Sequence, residues 1–355
     1  MLTFRLALTA AVLTLVLAAG TAGARTQANV YSVQNLVSDT ASTAPTTDPS
    51  LVNGWGLSAG PTTPWWTSNN GTNTTTLYNG SGAKQALTVS VPGGPSGTVF
   101  NGTAADFVVT QNGKTGSARF LFSTEAGMIL GWSSGVNATT AIPGVDRSSQ
   151  GAVYKGLATM SDRLYATDFH NGRVDVFDAS FNPVPLAGGF VDKKLPKGFA
   201  PFGIQALSGN IFVTYAKQDA AKHDDVAGPG LGYVDEFTAD GKLVARVASG
   251  GRKNAPPNAP WGLALAPSTF GVFAGDVLIG NFGNGRISAY QDRGGGKWVY
   301  KGQLRLGDGN LVTLEGLWAI AFGNGAAAGP TSTLYFLAGP GDEKHGMLGA
   351  ITAAG

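Results

Sequence analysis

A unit of about fifty residues recurs along this chain, and it constrains the fold more than any other feature. In its fullest form the unit opens on an aromatic–Gly–aliphatic step, continues into a second β-rich run, turns, and ends on an aromatic near Asp or Gly. Clear copies start at Trp55-Gly56-Leu57, Lys155-Gly156-Leu157, Phe202-Gly203-Ile204, Trp261-Gly262-Leu263 and Glu315-Gly316-Leu317-Trp318, with a degenerate one at Ala105-Asp106-Phe107. Taking Gly56, Asp106, Gly156, Gly203, Gly262 and Gly316 as markers, the steps are 50, 50, 47, 59 and 54 residues. One such unit cannot bury its apolar face alone, so it must stack on its neighbours. Six copies without an amphipathic helical stripe predict an all-β chain: a six-bladed β-propeller of four-stranded blades.

The local signals agree. Eight Asn-Gly pairs, from Asn53 to Asn324, supply the positive φ that tight hairpin turns require. In the best-formed copy, Gly156-Leu157-Ala158 reads as the inner strand and Leu164-Tyr165-Ala166-Thr167 as the second. Asn171-Gly172 then turns into Arg173-Val174-Asp175-Val176-Phe177, and Gly189-Phe190-Val191 is expected as the outer strand. The glycine of each inner strand, lacking a Cβ, permits close approach near a crowded axis. An open ring would leave an unpaired edge. The stretch Val30-Tyr31-Ser32-Val33-Gln34 is therefore expected to close the last blade, beside Met347-Leu348-Gly349-Ala350-Ile351.

The run Leu164-Tyr165-Ala166-Thr167-Asp168-Phe169-His170-Asn171-Gly172-Arg173-Val174-Asp175-Val176-Phe177-Asp178, together with Pro201-Phe202-Gly203-Ile204, resembles the NHL repeat. That resemblance implies a six-bladed propeller over nearly the whole chain. Three stretches are similar to an exported bacterial family first noted among proteins with PEP-CTERM sorting tails: residues 51–57, residues 215–230 and Ala259-Pro260-Trp261-Gly262-Leu263-Ala264. This family brings no assigned activity, and the Pro-Glu-Pro tail is absent from the sequence. NHL-like propellers include lactonases, lyases and interaction modules, so the resemblance leaves several functions open.

Residues 1–24 read as a signal peptide. Arg5 gives a positive start, residues 6–19 are apolar, and Ala22-Gly23-Ala24 offers a small-x-small cleavage site. The apolar run is shorter than the roughly 20 residues a membrane span needs. The expected product is an exported, periplasmic or extracellular monomer, with residues 25–355 forming one propeller domain. The chain has 24 basic and 22 acidic residues, a balance that argues against nucleic acid as a partner. The absence of cysteine excludes disulfides, thiol catalysis and thiolate metal sites.

Loops joining second to third strands, and those leading into inner strands, open on one face of a propeller. All three histidines, His170, His223 and His345, fall in such loops and are candidate metal ligands. Imidazole with carboxylate suits a divalent ion able to polarise an ester or lactone carbonyl. A metal-free acid–base site would use His170 or His223 beside Asp168 or Asp224. The fourth copy carries 16 residues between Tyr215 and Gly232, with Lys217, Asp219, Lys222, His223, Asp224 and Asp225 crowded into nine positions. Long loops of this kind in compact domains are usually functional or disordered. Trp55, Trp261 and Trp318 open inner strands, where they either line a ligand channel or pack because the repeat requires it. Asn69, Glu125, Asn281 and Glu343 complete the candidate binding set. The first expectation is a binding face for a small molecule, glycan or protein. The alternative is a hydrolase or lyase of lactone or ester type, using one divalent metal ion. Gly131-Trp132-Ser133-Ser134-Gly135 fits G-x-S-x-G but aligns with a third propeller strand, not a strand-to-helix elbow.

Overall fold

A computed structural model describes residues 28–354, so the expected signal peptide lies outside the described residues. Six antiparallel sheets stand in a ring, each strand order running from the axis outward. The inner strands are Gly54–Ser58, Pro95–Phe100, Tyr154–Met160, Phe199–Leu207, Pro260–Leu265 and Leu317–Phe322. The sixth blade is closed by the N-terminal strand Tyr31–Ser38, antiparallel to Met347–Ala353, with Tyr31 opposite Ala353 and Ser38 opposite Met347. The described residues include no helix long and apolar enough to cross a membrane.

Two repeat markers shift. The second inner strand centres on Ser96-Gly97-Thr98, not on Ala105-Asp106-Phe107. Residues 101–119 are instead an insertion with its own hairpin, Val108–Gln111 paired with Lys114–Ser117. The last copy is Trp318-Ala319-Ile320, its small residue three positions beyond Gly316, which turns at φ +66° before the strand. The third blade also differs from expectation. It has three regular strands, and residues 189–191 form none. Its third strand, Arg173–Phe177, is partly covered by the following segment through Val184 N–H to Val176 O at 2.8 Å. Phe190 packs inward against Tyr165 and Phe237.

The inner-strand glycines do what the sequence implies. A Cβ on Gly56 would meet Ser96 O at 2.5 Å, one on Gly97 would meet Leu157 N at 2.5 Å, and one on Gly262 would meet Trp318 O at 2.6 Å. Adjacent blades thus touch backbone to backbone at the axis. All six inner strands shift register around this small residue, as between Tyr154 and Leu157 and between Pro201 and Ile204. The shift takes the glycine N–H out of the ladder, and a hydroxyl on the second strand accepts it. Thr167 serves Gly156 at 2.6 Å, Thr214 serves Gly203 at 2.8 Å and Ser123 serves Gly97 at 2.9 Å. The residue just before each small one faces its counterparts around the ring. These six are Trp55, Ser96, Lys155, Phe202, Trp261 and Trp318. Lys155 is the one charged member.

Candidate functional site at the charged mouth of the channel

The aromatic members of this ring close the channel. Trp55 stacks on Trp318 at 3.7 Å, Phe282 stacks on the other side of Trp318 at 4.0 Å, and Trp261 stands edge-on to both tryptophans. Phe169 and Phe202 complete a buried plug. Trp55, Trp261 and Trp318 are 3%, 5% and 1% exposed, so they form a floor more than a lining.

Lys155 emerges from this floor with its side chain 1% exposed. Its ammonium lies 4.7 Å from the centre of the Trp55 ring and 5.9 Å from that of Phe169. It donates to Glu125 Oε1, and to Asp224 Oδ1 at 3.2 Å. Each carboxylate is held from elsewhere as well. Asn70 Nδ2 donates to Glu125 Oε2 at 2.7 Å, and His223 Nδ1 lies 3.0 Å from Asp224 Oδ1. Glu343 accepts from Asn53 Nδ2 at 2.6 Å, while Asn53 Oδ1 accepts the Trp318 indole N–H at 2.9 Å. Charged groups from blades two, three, four and six therefore meet above one aromatic floor.

The long fourth-blade loop is an ordered hairpin. Val226 N–H donates to Lys217 O at 2.7 Å and Asp219 N–H donates to Asp224 O at 2.9 Å. Asp219 Oδ1 accepts His223 N–H at 2.9 Å, and Lys222 makes the turn at φ +57°. Gln218 Nε2 donates to Phe169 O at 2.6 Å and to His170 O at 3.3 Å, which ties the hairpin to blade three. That arrangement delivers Asp224 and Asp225 to the mouth. One oxygen of Asp225, Oδ2, is buried with no hydrogen-bond partner.

Four carboxylates stand near one buried ammonium, and burial acts on each of those whose ionisation is displaced. Burial pushes Asp225 up to about 7; Lys155 opposes the shift, while Glu343 and Asp224 add to it. Burial also raises Glu343, against the hydrogen bond from Asn53. Asp224 behaves oppositely. Burial works to raise it, but the Lys155 charge and the His223 contact hold it below the ordinary carboxylate value. Neighbouring residues in sequence are thus driven apart in acidity.

The remaining candidates are placed elsewhere. Asp168 is fully buried and works as a turn residue, accepting from Asn171 Nδ2 at 2.7 Å and Val153 N at 3.3 Å. Asn69 and Asn281 occupy the equivalent strand ends, bonding Thr74, Thr76 and the Arg286 carbonyl within their own blades. His345 contacts Asp39 at 2.9 Å and Thr40 at 3.2 Å, beside the closing strand. Lys217 lies 5.9 Å over the Phe199 ring. The three histidines are not gathered. Among the described residues, the one group of three or more His, Asp or Glu with ligand atoms within 4.8 Å is Glu125, His223 and Asp224. Sequence reasoning missed Lys155, Asn53 and Asn70 as site residues, and named Asp225 only within the charge cluster of the fourth-blade loop. For Lys155 the signal was available, since a charge stands where other copies carry an aromatic.

No family profile matches the chain. Two uncharacterised proteins of Acanthamoeba polyphaga mimivirus, R648 and L690, are 29% and 28% identical, each over 93% of this chain and over 82% and 87% of their own lengths. A third, R640, is 32% identical over 230 residues, and the chain spans 42% of its length. Among solved structures, a streptogramin B lyase superposes with a TM-score of 0.52 at 12% identity, covering 91% of this chain and 98% of the lyase. A Bacteroides thetaiotaomicron protein of unknown function gives 0.56 at 12% identity, covering 92% of this chain and 76% of its own. A glucose dehydrogenase gives 0.54 at 14% identity, covering 91% and 100%. At such identities the likeness is one of fold. The chain is a six-bladed β-propeller.

Proposed function

We propose that the charged mouth binds a small positively charged ligand, either a divalent cation or a protonated amine. The carrying observation is the Asp225 carboxyl, unpartnered at Oδ2 and raised to about 7 by burial, with Glu343 and Asp224 adding to the rise against Lys155, so that its ionised form lacks a partner. An added cation supplies the missing charge. The donor set Glu125, His223 and Asp224 fits a divalent ion in chemistry. Lys155 bonds two of these groups, so a metal has to compete with a resident ammonium, whereas an amine can sit beside Asp225 and Glu343.

The pH dependence follows from the sign of the shift. Cation binding favours the ionised carboxylate, so it releases a proton from Asp225, and affinity rises as pH climbs through about 7. Calorimetric titration with manganese, zinc, ethanolamine and glucosamine separates the two ligand sources. For ethanolamine, which stays protonated over this range, affinity is expected to be about tenfold higher at pH 8 than at pH 6, and flat with pH in Asp225→Asn. No saturable binding by any of the four, or equal affinity at both pH values, overturns the reading.

A specific observation favours a second reading. Asp224 held low beside Asp225 held high is the pattern of an acid–base pair, as in a hydrolase or lyase acting on a lactone or ester. Turnover of such substrates by the wild type, lost in Asp225→Asn and Asp224→Asn, would promote it above binding. We also place the protein outside the cytoplasm, on the signal-like residues 1–24 and the likeness to an exported bacterial family. N-terminal sequencing of the protein from its host is expected to begin near Arg25, and an intact Met1 would remove this part of the proposal.

A further inference from the structure

Charge is not spread evenly around this ring. From Gly241, before the outer strand of blade four, to Arg305, at the end of blade five, the sequence holds nine basic residues and two acidic ones. The rest of the chain holds 15 and 20, out of totals of 24 and 22. Of the two acids Asp276 is buried, which leaves Asp292 at the surface. Arg246 is taken up by Asp235 and Asp192. Lys242, Arg293, Lys297 and Lys301 are exposed, and among the described residues none of them makes an ion pair.

The topology gathers these four groups. The outer strands Leu243–Ser249 and Trp298–Gln303 lie side by side on neighbouring blades. Equivalent turns feed them: Thr238 N–H donates to Lys242 O at 2.9 Å in one, and Arg293 N–H to Lys297 O at 2.8 Å in the other. Both turns join a third strand to an outer one, so they stand at the end of the propeller opposite the charged mouth. A Cβ on Gly296 would lie 3.5 Å from Val244 O, which places one turn against the start of the other strand. Large apolar side chains are left in water at the same place. Leu243, Val244, Val299 and Tyr300 are 42%, 44%, 42% and 44% exposed, half of the eight exposed large hydrophobics among the described residues. Scattered singly such residues need no explanation, but gathered beside free cations they mark a contact surface.

We propose that this rim is a docking surface for an anionic lipid bilayer. The basic groups meet the headgroups, and the aliphatic side chains enter the boundary of the acyl region. Charge complementarity requires a negative partner, and the exposed aliphatics favour a bilayer among negative partners. A soluble polyanion would engage the same cations but gives those side chains nothing to enter. The docking is peripheral and leaves the charged mouth, at the other end, open to solvent.

Co-sedimentation with vesicles tests this, using phosphatidylcholine alone and phosphatidylcholine with about a third phosphatidylglycerol. Binding is expected to the anionic vesicles only, at about 20 mM salt, and to be lost at about 500 mM. Each Lys or Arg at an anionic surface contributes about fivefold in affinity, so Arg293→Gln with Lys297→Gln should weaken binding about thirtyfold. Lys114→Gln with Lys193→Gln removes the same net charge from exposed positions elsewhere and should change it by less than about threefold. Val244→Ser with Val299→Ser should weaken vesicle binding about fivefold and leave binding of dextran sulfate unchanged. All three variants should melt within a few degrees of the wild type, since every changed side chain is exposed. The proposal is overturned if neutral and anionic vesicles bind alike, or if the two charge variants weaken binding equally. It is overturned too if the serine variant binds vesicles as the wild type does, which would assign the rim to a soluble polyanion.

Discussion

A chain beginning at Asp39 is expected to lose its stable monomeric fold. The strand Tyr31–Ser38 is the outer strand of the sixth blade, and removing it exposes the whole edge of Met347–Ala353. It also takes away three buried hydrophobic side chains. Tyr31 is 2% exposed, donates its hydroxyl to Phe270 O at 3.2 Å and packs on Phe270 and Phe273. Leu36 and Val37 fill the core between blades one and six. Full burial of such side chains contributes about 1.5–3 kcal/mol each. Together they rival the about 5–15 kcal/mol that separates a typical native domain from its unfolded state. The truncated chain should elute as aggregate on size exclusion, because an uncovered strand edge pairs with other chains. A synthetic peptide of residues 28–38 added in trans should restore a cooperative melt. If the truncated chain stays monomeric with an unchanged melting temperature, this strand does not close the ring energetically.

Ring closure was legible because it needs only a β-rich stretch before the first repeat and a blade short of one strand. The inner-strand glycines were legible for a similar reason: the close approach they permit is a property of the repeat, carried in every copy. Where the repeat is broken the sequence misled. Blade two keeps its glycine at Gly97 but has Ser96 where four other blades have an aromatic, and Phe107 in the insertion that follows mimics the missing marker. The site was half legible. Loop composition pointed to Asp224, Glu125 and Glu343, but a loop position says nothing of where its side chain turns. His345 turns outward to Asp39, and Asp168 turns into its own hairpin, although both lie on the expected loops. Histidines drew attention as ligands, while the group that organises the mouth is a lysine hidden inside a repeat marker.

Lys155→Met tests that organisation and is expected to cost about 2–4 kcal/mol at pH 8. Methionine fills much the same volume over Trp55, so the loss is chiefly electrostatic. Breaking a buried ion pair from one side leaves its partners uncompensated, at about 3–5 kcal/mol when they are fully buried. Here the cost is smaller, because the Asp224 side chain is 64% exposed and can turn to water, while Glu125 at 17% cannot. Asp225 and Glu343 are already raised by burial, and losing Lys155 removes a charge that opposes that rise. A carboxyl whose folded value is raised contributes most below its unfolded value, near 4, and loses that contribution as pH climbs through the folded one. The deficit of the variant relative to wild type should therefore shrink toward pH 5 and be largest at pH 8. Adding Glu125→Gln to Lys155→Met should recover about half of it, which a simple packing defect would not allow. The same variant separates structure from binding. With the resident ammonium gone, the mouth lacks one more positive charge, so manganese or an amine should raise its melting temperature more than that of the wild type. A melting temperature equal to wild type at pH 8, unmoved by either cation, would mean that the carboxylates find enough water to need no counter-charge. The mouth would then be a solvated rim, not a site.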